Sequence, residues 1–280
     1  MPTPGALYLV ATPIGNLGDI SARAERTLRD ADFIAAEDTR VTRKLLEHLG
    51  IRKPLVSYYE HNQRESGERI LGRILSGDSC ALVTDAGTPG ISDPGEGLVR
   101  LCAEAGVTMY AIPGPSAAVA ALALSGLATG RFTFEGFLST ARKSRFEHLG
   151  ELRAERRTMV FYEAPHKLMR TLGDMLEVLG DRKVSISREL TKVYEETLRF
   201  TLSEAVAHFG EHPPRGEFVL VVEGMADPPA PDICLDDAVA AALAYVGSGL
   251  TVKDAVKKAA GETGAPKNTL YNAVVKSQAP

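Results

Sequence analysis

The chain has 280 residues, 44% of them hydrophobic and 24% charged, with a formal net charge of −4; these are the proportions of an ordinary globular protein and exclude collagen-like, coiled-coil and disordered classes. Its length accommodates two fused α/β units. No apolar run reaches the roughly 20 residues of a membrane span, the longest being broken by Ser125 and Gly126, and the acidic balance excludes a uniformly basic nucleic-acid binder but not a local basic patch.

Apolar, β-branched runs alternate with amphipathic stretches from the start, the pattern of α/β units rather than of a sandwich or bundle. Strands are predicted at 7–11, 33–36, 55–57, 81–84 and 108–112. Between them the spacing predicts a helix over 40–49, with Val41, Leu45, Leu46 and Leu49 on one face and Gly50 as its stop; Ile70, Leu71, Ile74 and Leu75 form a second stripe ended by Gly77. Pro113-Gly-Pro115 forces a sharp turn and marks a domain junction. After it, strands are predicted at 131–136, 158–162, 183–187, 197–202 and 218–222. The proline-rich stretch Asp227 to Asp232 reads as a linker. Beyond it come three short helices, at 235–246, 252–260 and 267–276, the last two joined by a Gly-containing turn in the outline of a helix-turn-helix. The expected domains are therefore residues 1–113, 114–226 and 233–280. From Thr251 onward five lysines face Asp254 and Glu262, so the tail carries +3 and the remainder −7.

The first residues lack a basic region followed by an apolar stretch and a cleavage site, so export is not expected. Three widely separated cysteines, Cys80, Cys102 and Cys234, fit reduced thiols in the cytoplasm better than a disulfide framework or a zinc site.

Three segments run a strand directly into a Gly/Pro-rich loop: Leu9 to Asn16, Leu82 to Gly90, and Tyr110 to Ala117. In open α/β sheets ligands bind beyond the carboxyl ends of the strands, so three such loops point to a shared site. Neither Gly-x-Gly-x-x-Gly nor a phosphate loop ending in Gly-Lys-Ser/Thr is present, which disfavours a dinucleotide or ATP site. Ser116 lies between a strand and a helix as a hydrolase nucleophile would, but Ala118 replaces the final glycine of that elbow, and an N-cap role explains the serine by itself. His208 and His212 are four apart without a zincin glutamate and read as surface histidines rather than metal ligands. Glu37-Asp38, Glu60-His61 and Glu163 with His166 lie at strand ends near the loops and are candidate acid–base groups, although Asp38-Thr39 is also good capping chemistry. Arg142, Lys143 and Arg145 cluster in an expected loop, followed by Arg153, Arg156 and Arg157, as phosphate contacts would.

Nine motifs then occur in one order: Thr12-Pro-Ile-Gly-Asn-Leu17, Ala36-Glu-Asp-Thr-Arg40, Tyr59-Glu-His-Asn62, Thr84 to Gly95, Pro113-Gly-Pro-Ser116, Phe134-Glu-Gly-Phe-Leu138, Phe161-Tyr-Glu-Ala-Pro-His166, Ser187 to Lys192, and Gly216-Glu-Phe-Val219. Together they resemble the RsmI group, small-subunit ribosomal RNA 2′-O-methyltransferases of the tetrapyrrole methylase superfamily. Ser139 stands where proline is expected and Lys167 where arginine is usual; lysine lacks the bidentate fork for phosphate.

The resemblance implies two α/β domains with S-adenosyl-L-methionine in the cleft between them, a C-terminal helical RNA-binding domain, a homodimer, and a cytidine 2′-hydroxyl of 16S rRNA or the small ribosomal subunit as substrate. It places the cofactor against Pro13, Gly15 and Asn16, then Asp85, Ala86, Gly87, Thr88 and Ile91, then Ser116, Ala117, Phe134 and Tyr162, and finally Leu190, Glu217 and Phe218. Glu163, or alternatively Asp38 or His61, is expected to accept the hydroxyl proton, and no metal is expected. Candidate RNA contacts are Arg40, Arg142, Lys143, Arg145, Lys167, Lys257 and Lys267. Two competing readings are a corrin or porphyrin methylase, which would not need the cationic tail, and an RNA-binding assembly factor with a vestigial cleft.

Overall fold

The computed structural model describes residues 5–226 and 235–278. Their contacts divide the chain into two compact units, residues 1–225 and 226–280.

The first unit begins with β1 (Ala6–Val10), α1 (Ala22–Asp30), β2 (Phe33–Ala36), α2 (Thr39–His48), β3 (Leu55–Ser57), α3 (Gln63–Leu75), β4 (Cys80–Val83), α4 (Glu96–Glu104) and β5 (Thr108–Ile112). The five strands form one parallel sheet in the order β3-β2-β4-β1-β5. Parallel sheets are covered on both faces, and the side chains sort by alternation. Ala6, Tyr8, Val10, Ile34 and Ala36 pack with Ala24 and Leu28 of α1 and Leu46 of α2. Leu7, Phe33, Ala35, Cys80 and Leu82 pack with Ile70 and Ile74 of α3 and Leu98 and Cys102 of α4. Gly50 and Gly77, the expected helix stops, have φ of +64° and +106°.

Next come α5 (Ala117–Leu124), β6 (Phe132–Phe137), α6 (Arg142–Glu151), β7 (Thr158–Glu163), α7 (Pro165–Leu179), β8 (Lys183–Arg188), β9 (Glu196–Thr201), α8 (Leu202–Glu211) and β10 (Phe218–Val222). The second sheet has the order β6-β7-β10-β8-β9, parallel only at β6-β7 and antiparallel elsewhere. Met159, Phe161, Ile186, Phe218 and Leu220 pack on one face with α6, α7 and α8. Val160, Tyr162, Val219 and Val221 pack on the other with Ala118, Ala121 and Leu122 of α5. Helix α5, which directly follows the first sheet in sequence, thus covers the second.

Two sequence expectations change here. Leu202, expected to end a strand, starts α8, because Thr201 and Glu204 close a reciprocal capping box there. Arg142, Lys143 and Arg145 lie on α6 rather than in a loop.

The second unit contains α9 (Leu235–Gly247), α10 (Val252–Thr263) and α11 (Lys267–Ser277). Its core is small: Ala238, Ala242, Val256, Ala259, Leu270 and Val274. The side chain of Thr251 caps α10, and Gly264 ends it in the left-handed conformation before Pro266 opens α11. The linker Asp227 to Asp232 and Cys234 lie outside the described residues. Cys80 and Cys102 are free and buried; burial pushes the Cys102 thiol up to about 11 and raises that of Cys80 further. Among the described residues no helix is long and apolar enough to cross a membrane.

Candidate functional site

The three Gly/Pro-rich loops follow β1, β4 and β5, which are neighbours in the sheet, so all three leave the same edge. They are cross-linked. The Thr12 amide donates to the Gly87 carbonyl at 2.9 Å, the Gly87 amide returns a bond to the Thr12 carbonyl at 3.1 Å, and the Thr12 hydroxyl donates to the Thr84 carbonyl at 3.1 Å. Opposite them stand the start of α5, the end of β7 and the turn after β8, together with the start of β10. The space enclosed is a cavity of about 530 Å³, within the usual range for small-molecule sites.

The structure brings ten of the fifteen expected cofactor contacts into this cavity wall. Ala86, Gly87, Thr88 and Ile91 come from the loop after β4, Ser116 and Ala117 from the start of α5, Tyr162 from β7, Leu190 from the turn after β8, and Glu217 and Phe218 from β10. Pro13, Gly15, Asn16, Asp85 and Phe134 do not border it. Phe134 instead packs edge-on against Tyr162 at 5.1 Å between ring centroids, and Asn16 caps a short turn by accepting from the Gly18 amide at 2.9 Å. Ser116 stands at the N-cap of α5, but its side chain makes no capping bond; the Tyr162 hydroxyl accepts from the Ala118 amide at 3.2 Å instead.

Of the expected Pro13 to Asn16 loop Ile14 borders the cavity, and sequence reasoning missed Ser92, Asp93, Phe137 and Lys192, which border it too. One signal could have found Asp93: the Ser-Asp-Pro run directly after a Gly-rich loop. Backbone strain marks the same place. Among the described residues the non-glycine positions with positive φ are Ser92 (+62°), Glu189 (+49°) and Thr191 (+67°). Ser92 and Glu189 border the cavity and Thr191 sits between two residues that do. Each such residue costs about 1–3 kcal/mol and persists only where its surroundings hold it. The Thr191 hydroxyl oxygen is buried without a hydrogen-bond partner.

Charge at the cavity is mainly negative. Asp93, Glu163, Glu189 and Glu217 border it, against one lysine, Lys192. Lys192 is already engaged, its Nζ donating to Glu189 at 3.0 Å and to Glu217 at 3.1 Å, and the first of these bonds holds the Glu189 carboxyl below its usual range. Such a set suits a cationic ligand better than a phosphate. Burial pushes the Asp93 carboxyl up to about 6, with Glu37 adding to the rise and the Thr84 hydroxyl opposing it. Burial likewise raises Asp85, with Glu37 and Asp38 contributing.

The three expected proton acceptors are placed differently. Glu163 is buried, and its neighbour Tyr162 lies on the opposite face of β7. One Glu163 oxygen accepts from the Ala164 amide at 2.8 Å and the other from the Thr171 hydroxyl of α7 at 2.5 Å. Asp38 caps α2 and meets Arg40 at 2.6 Å; hydrogen bonds from Arg40 hold it down at about 2. His61 is exposed in the turn after β3 and lies outside the cavity wall.

The basic candidates also separate. Arg145 is only 2% exposed, its Nε donating to Asp174 at 2.6 Å and its Nη1 to the Ser139 and Thr140 carbonyls. It faces α7 and is not an RNA contact, which corrects the expectation for this residue. Arg142 and Lys143 are exposed, with loose ion pairs at 3.8 and 3.9 Å. Arg40 is exposed though paired with Asp38. Lys167 lies in the first turn of α7, beside cavity-lining His166. Lys257 and Lys267 are exposed on α10 and α11, whereas Lys258 lies over the Tyr245 ring at 4.1 Å. His208 and His212 stack at 4.6 Å between centroids, and no group of three or more potential metal ligands occurs among the described residues.

Comparison with known proteins gives a consistent set. Residues 6–206 match the family model of tetrapyrrole (corrin/porphyrin) methylases, and residues 235–278 that of the RsmI C-terminal HTH domain. The chain is 48% identical to ribosomal RNA small subunit methyltransferase I of Synechocystis sp., covering 95% of this chain and 96% of that one. It is 49% identical to the protein of the same name from Halalkalibacterium halodurans, over 96% and 94%, and 45% identical to that of Bacillus subtilis, over 96% and 94%. Among solved structures, the fold resembles a diphthine synthase (TM-score 0.58, 16% identity, 78% of this chain and 90% of that one). It also resembles the uroporphyrin-III C-methyltransferase of Thermus thermophilus in complex with S-adenosylhomocysteine (TM-score 0.54, 19% identity, 78% and 97%).

Proposed function

Because the chain belongs to the ribosomal RNA small subunit methyltransferase I family, we propose that it methylates the ribose 2′-hydroxyl of a cytidine in the decoding region of 16S rRNA, with S-adenosyl-L-methionine as methyl donor. The observation that carries the reading is the cavity between the two sheets: it has the size for a nucleoside ligand, four bordering carboxylates and a lysine that is already paired. The donor fits this set. Its sulfonium and ammonium are cations, and the wall holds no lysine or arginine besides the paired Lys192. When bound, it supplies a methyl group on positively charged sulfur, an electrophile that needs no metal.

The chain's own part is to hold and orient. Ile14, Ile91, Phe137 and Leu190 supply apolar surface for a flat ring, and Ala86, Gly87 and Thr88 border the same space. Aligning an attacking oxygen with the methyl at about 3–3.5 Å accounts for much of the rate in such displacements. Arg142 and Lys143, the half-buried Lys167, and Lys257 and Lys267 of the helical unit are the cations we assign to RNA phosphates. We read the working form as a cytoplasmic homodimer, as the family resemblance implies.

Incubation of the full chain with methyl-labelled donor and either naked 16S rRNA or the small subunit is expected to label one nucleotide, resistant to alkaline cleavage on its 3′ side, and mass spectrometry of nuclease fragments is expected to identify a cytidine. Label on a base would overturn the 2′-O assignment. Absence of label on both substrates, together with no calorimetric binding of S-adenosylmethionine, would leave the assembly-factor reading in its place.

A further inference from the structure

We propose that Asp93 is the catalytic base, accepting the proton of the attacking ribose hydroxyl. This inference rests on the methyltransferase reading above and names the group that does the proton work at that site.

Most of the other titratable groups around the cavity are already engaged. Glu163 has both oxygens occupied by its own fold, Asp38 is clamped by Arg40, and His61 is outside the wall. Glu189 and Glu217 are held by Lys192, and His166 is exposed at the start of α7. Asp93 borders the cavity half-buried and has no ion-pair partner among the described residues.

Its surroundings raise its affinity for a proton without supplying a cation to cancel it. Glu37, at the end of β2, and Asp85, just after β4, both raise it, while the Thr84 hydroxyl, which donates to Glu37 at 2.6 Å, opposes the rise. From the other sheet Tyr162 faces it and feels its charge. Arg40 acts on Asp85 and is tied to Asp38. A carboxylate in this setting has a proton affinity matched to neutral pH, which is what a general base requires. Ser92 at φ +62°, with its hydroxyl packed on the β6 bulge at Gly136, fixes the direction in which Asp93 leaves the chain.

The step balances simply. The hydroxyl oxygen forms a bond to the methyl carbon and displaces sulfur, which keeps the electron pair of the broken carbon–sulfur bond and becomes a neutral thioether. The hydroxyl proton passes to a carboxylate oxygen of Asp93 and is released to water after product leaves. No further reactant is needed.

The test is single-turnover methylation of 16S rRNA at saturating donor, measured from pH 5 to 8.5 on the full chain, with calorimetry of S-adenosylmethionine binding alongside. In the unaltered protein the rate should rise with pH through an inflection above the ordinary carboxylate range, because Asp93 must be ionised to act and burial raises its carboxyl, with Glu37 adding to the rise. Asp93→Asn should lower the rate at saturating donor by about 10²- to 10⁴-fold and remove the inflection, while the weaker donor binding expected from loss of one of the four bordering carboxylates should be overcome at saturating donor. Glu37→Gln should move the inflection to lower pH, since one negative neighbour is gone while the acceptor for Thr84 remains; a merely structural role for Asp93 would not produce that shift. Retained activity or a persisting inflection in Asp93→Asn, or a rate loss in that variant that saturating donor restores, would each overturn the assignment. An unaltered protein that methylates no rRNA would overturn the functional reading and this inference together, whereas an active protein whose Asp93→Asn variant is equally active overturns only the base.

Discussion

Arg145→Ala should lower the unfolding free energy of the first unit by about 3–5 kcal/mol, the usual consequence of removing one partner from a buried ion pair. Arg145 is almost completely inaccessible, and Asp174 on α7 is nearly so. The guanidinium also satisfies the Ser139 and Thr140 carbonyls that lead into α6, so alanine would orphan two main-chain acceptors as well as a carboxylate. Replacing both charges, as Arg145→Met with Asp174→Leu, should recover the part of the loss that comes from the uncompensated carboxylate, the Ser139 and Thr140 carbonyls remaining without their donor. Urea unfolding followed by tryptophan-independent circular dichroism measures both; the chain has no tryptophan. Affinity for rRNA should be unchanged in the double variant. A single variant as stable as the unaltered protein would show that the α6–α7 contact does not depend on this pair.

Deletion of residues 235–280 should weaken binding to 16S rRNA by about ten- to a hundredfold at physiological salt while leaving S-adenosylmethionine affinity unchanged. The magnitude follows from counterion release. Lys253, Lys257, Lys267 and Lys276 are exposed, and loss of three phosphate contacts reduces the slope of log K against log salt by about 2–3. Donor affinity should survive because the cavity wall is built wholly from residues of the first unit. Filter binding across a salt series, with calorimetry of the donor, gives both quantities. Equal rRNA affinity and an unchanged salt slope would remove the helical unit from RNA recognition.

The two variants mark how far the sequence could be read. Strand positions were legible because the buried parallel strands β2 and β4 are continuous apolar runs of four residues, and the loops after β1, β4 and β5 announced themselves by glycine and proline. That these loops meet follows from the strand order, in which β1 lies between β4 and β5, and nothing local encodes that order. Arg145 was misread because charge counting along a line cannot tell a solvated arginine from one that meets a buried carboxylate; its partner Asp174 is 29 positions away. Asp93 was passed over for the same reason: what sets it apart is the company of Glu37, from a different strand. The capping function expected of Ser116 is absent since tertiary structure brings the Tyr162 hydroxyl to the same helix start.

The left-handed residues Ser92, Glu189 and Thr191 carry a practical consequence for anyone improving this protein's robustness. Glycine adopts that conformation without the penalty of a Cβ, so Ser92→Gly and Thr191→Gly relieve the native chain and a screen on heat resistance alone would favour them. The relief comes from the rim that directs Asp93 and Lys192, so the survivors of such a screen would be sturdier catalysts with slacker aim. Selection for durability in this scaffold therefore has to be run against turnover from the first round, or it will discard the tension that aims the reacting groups.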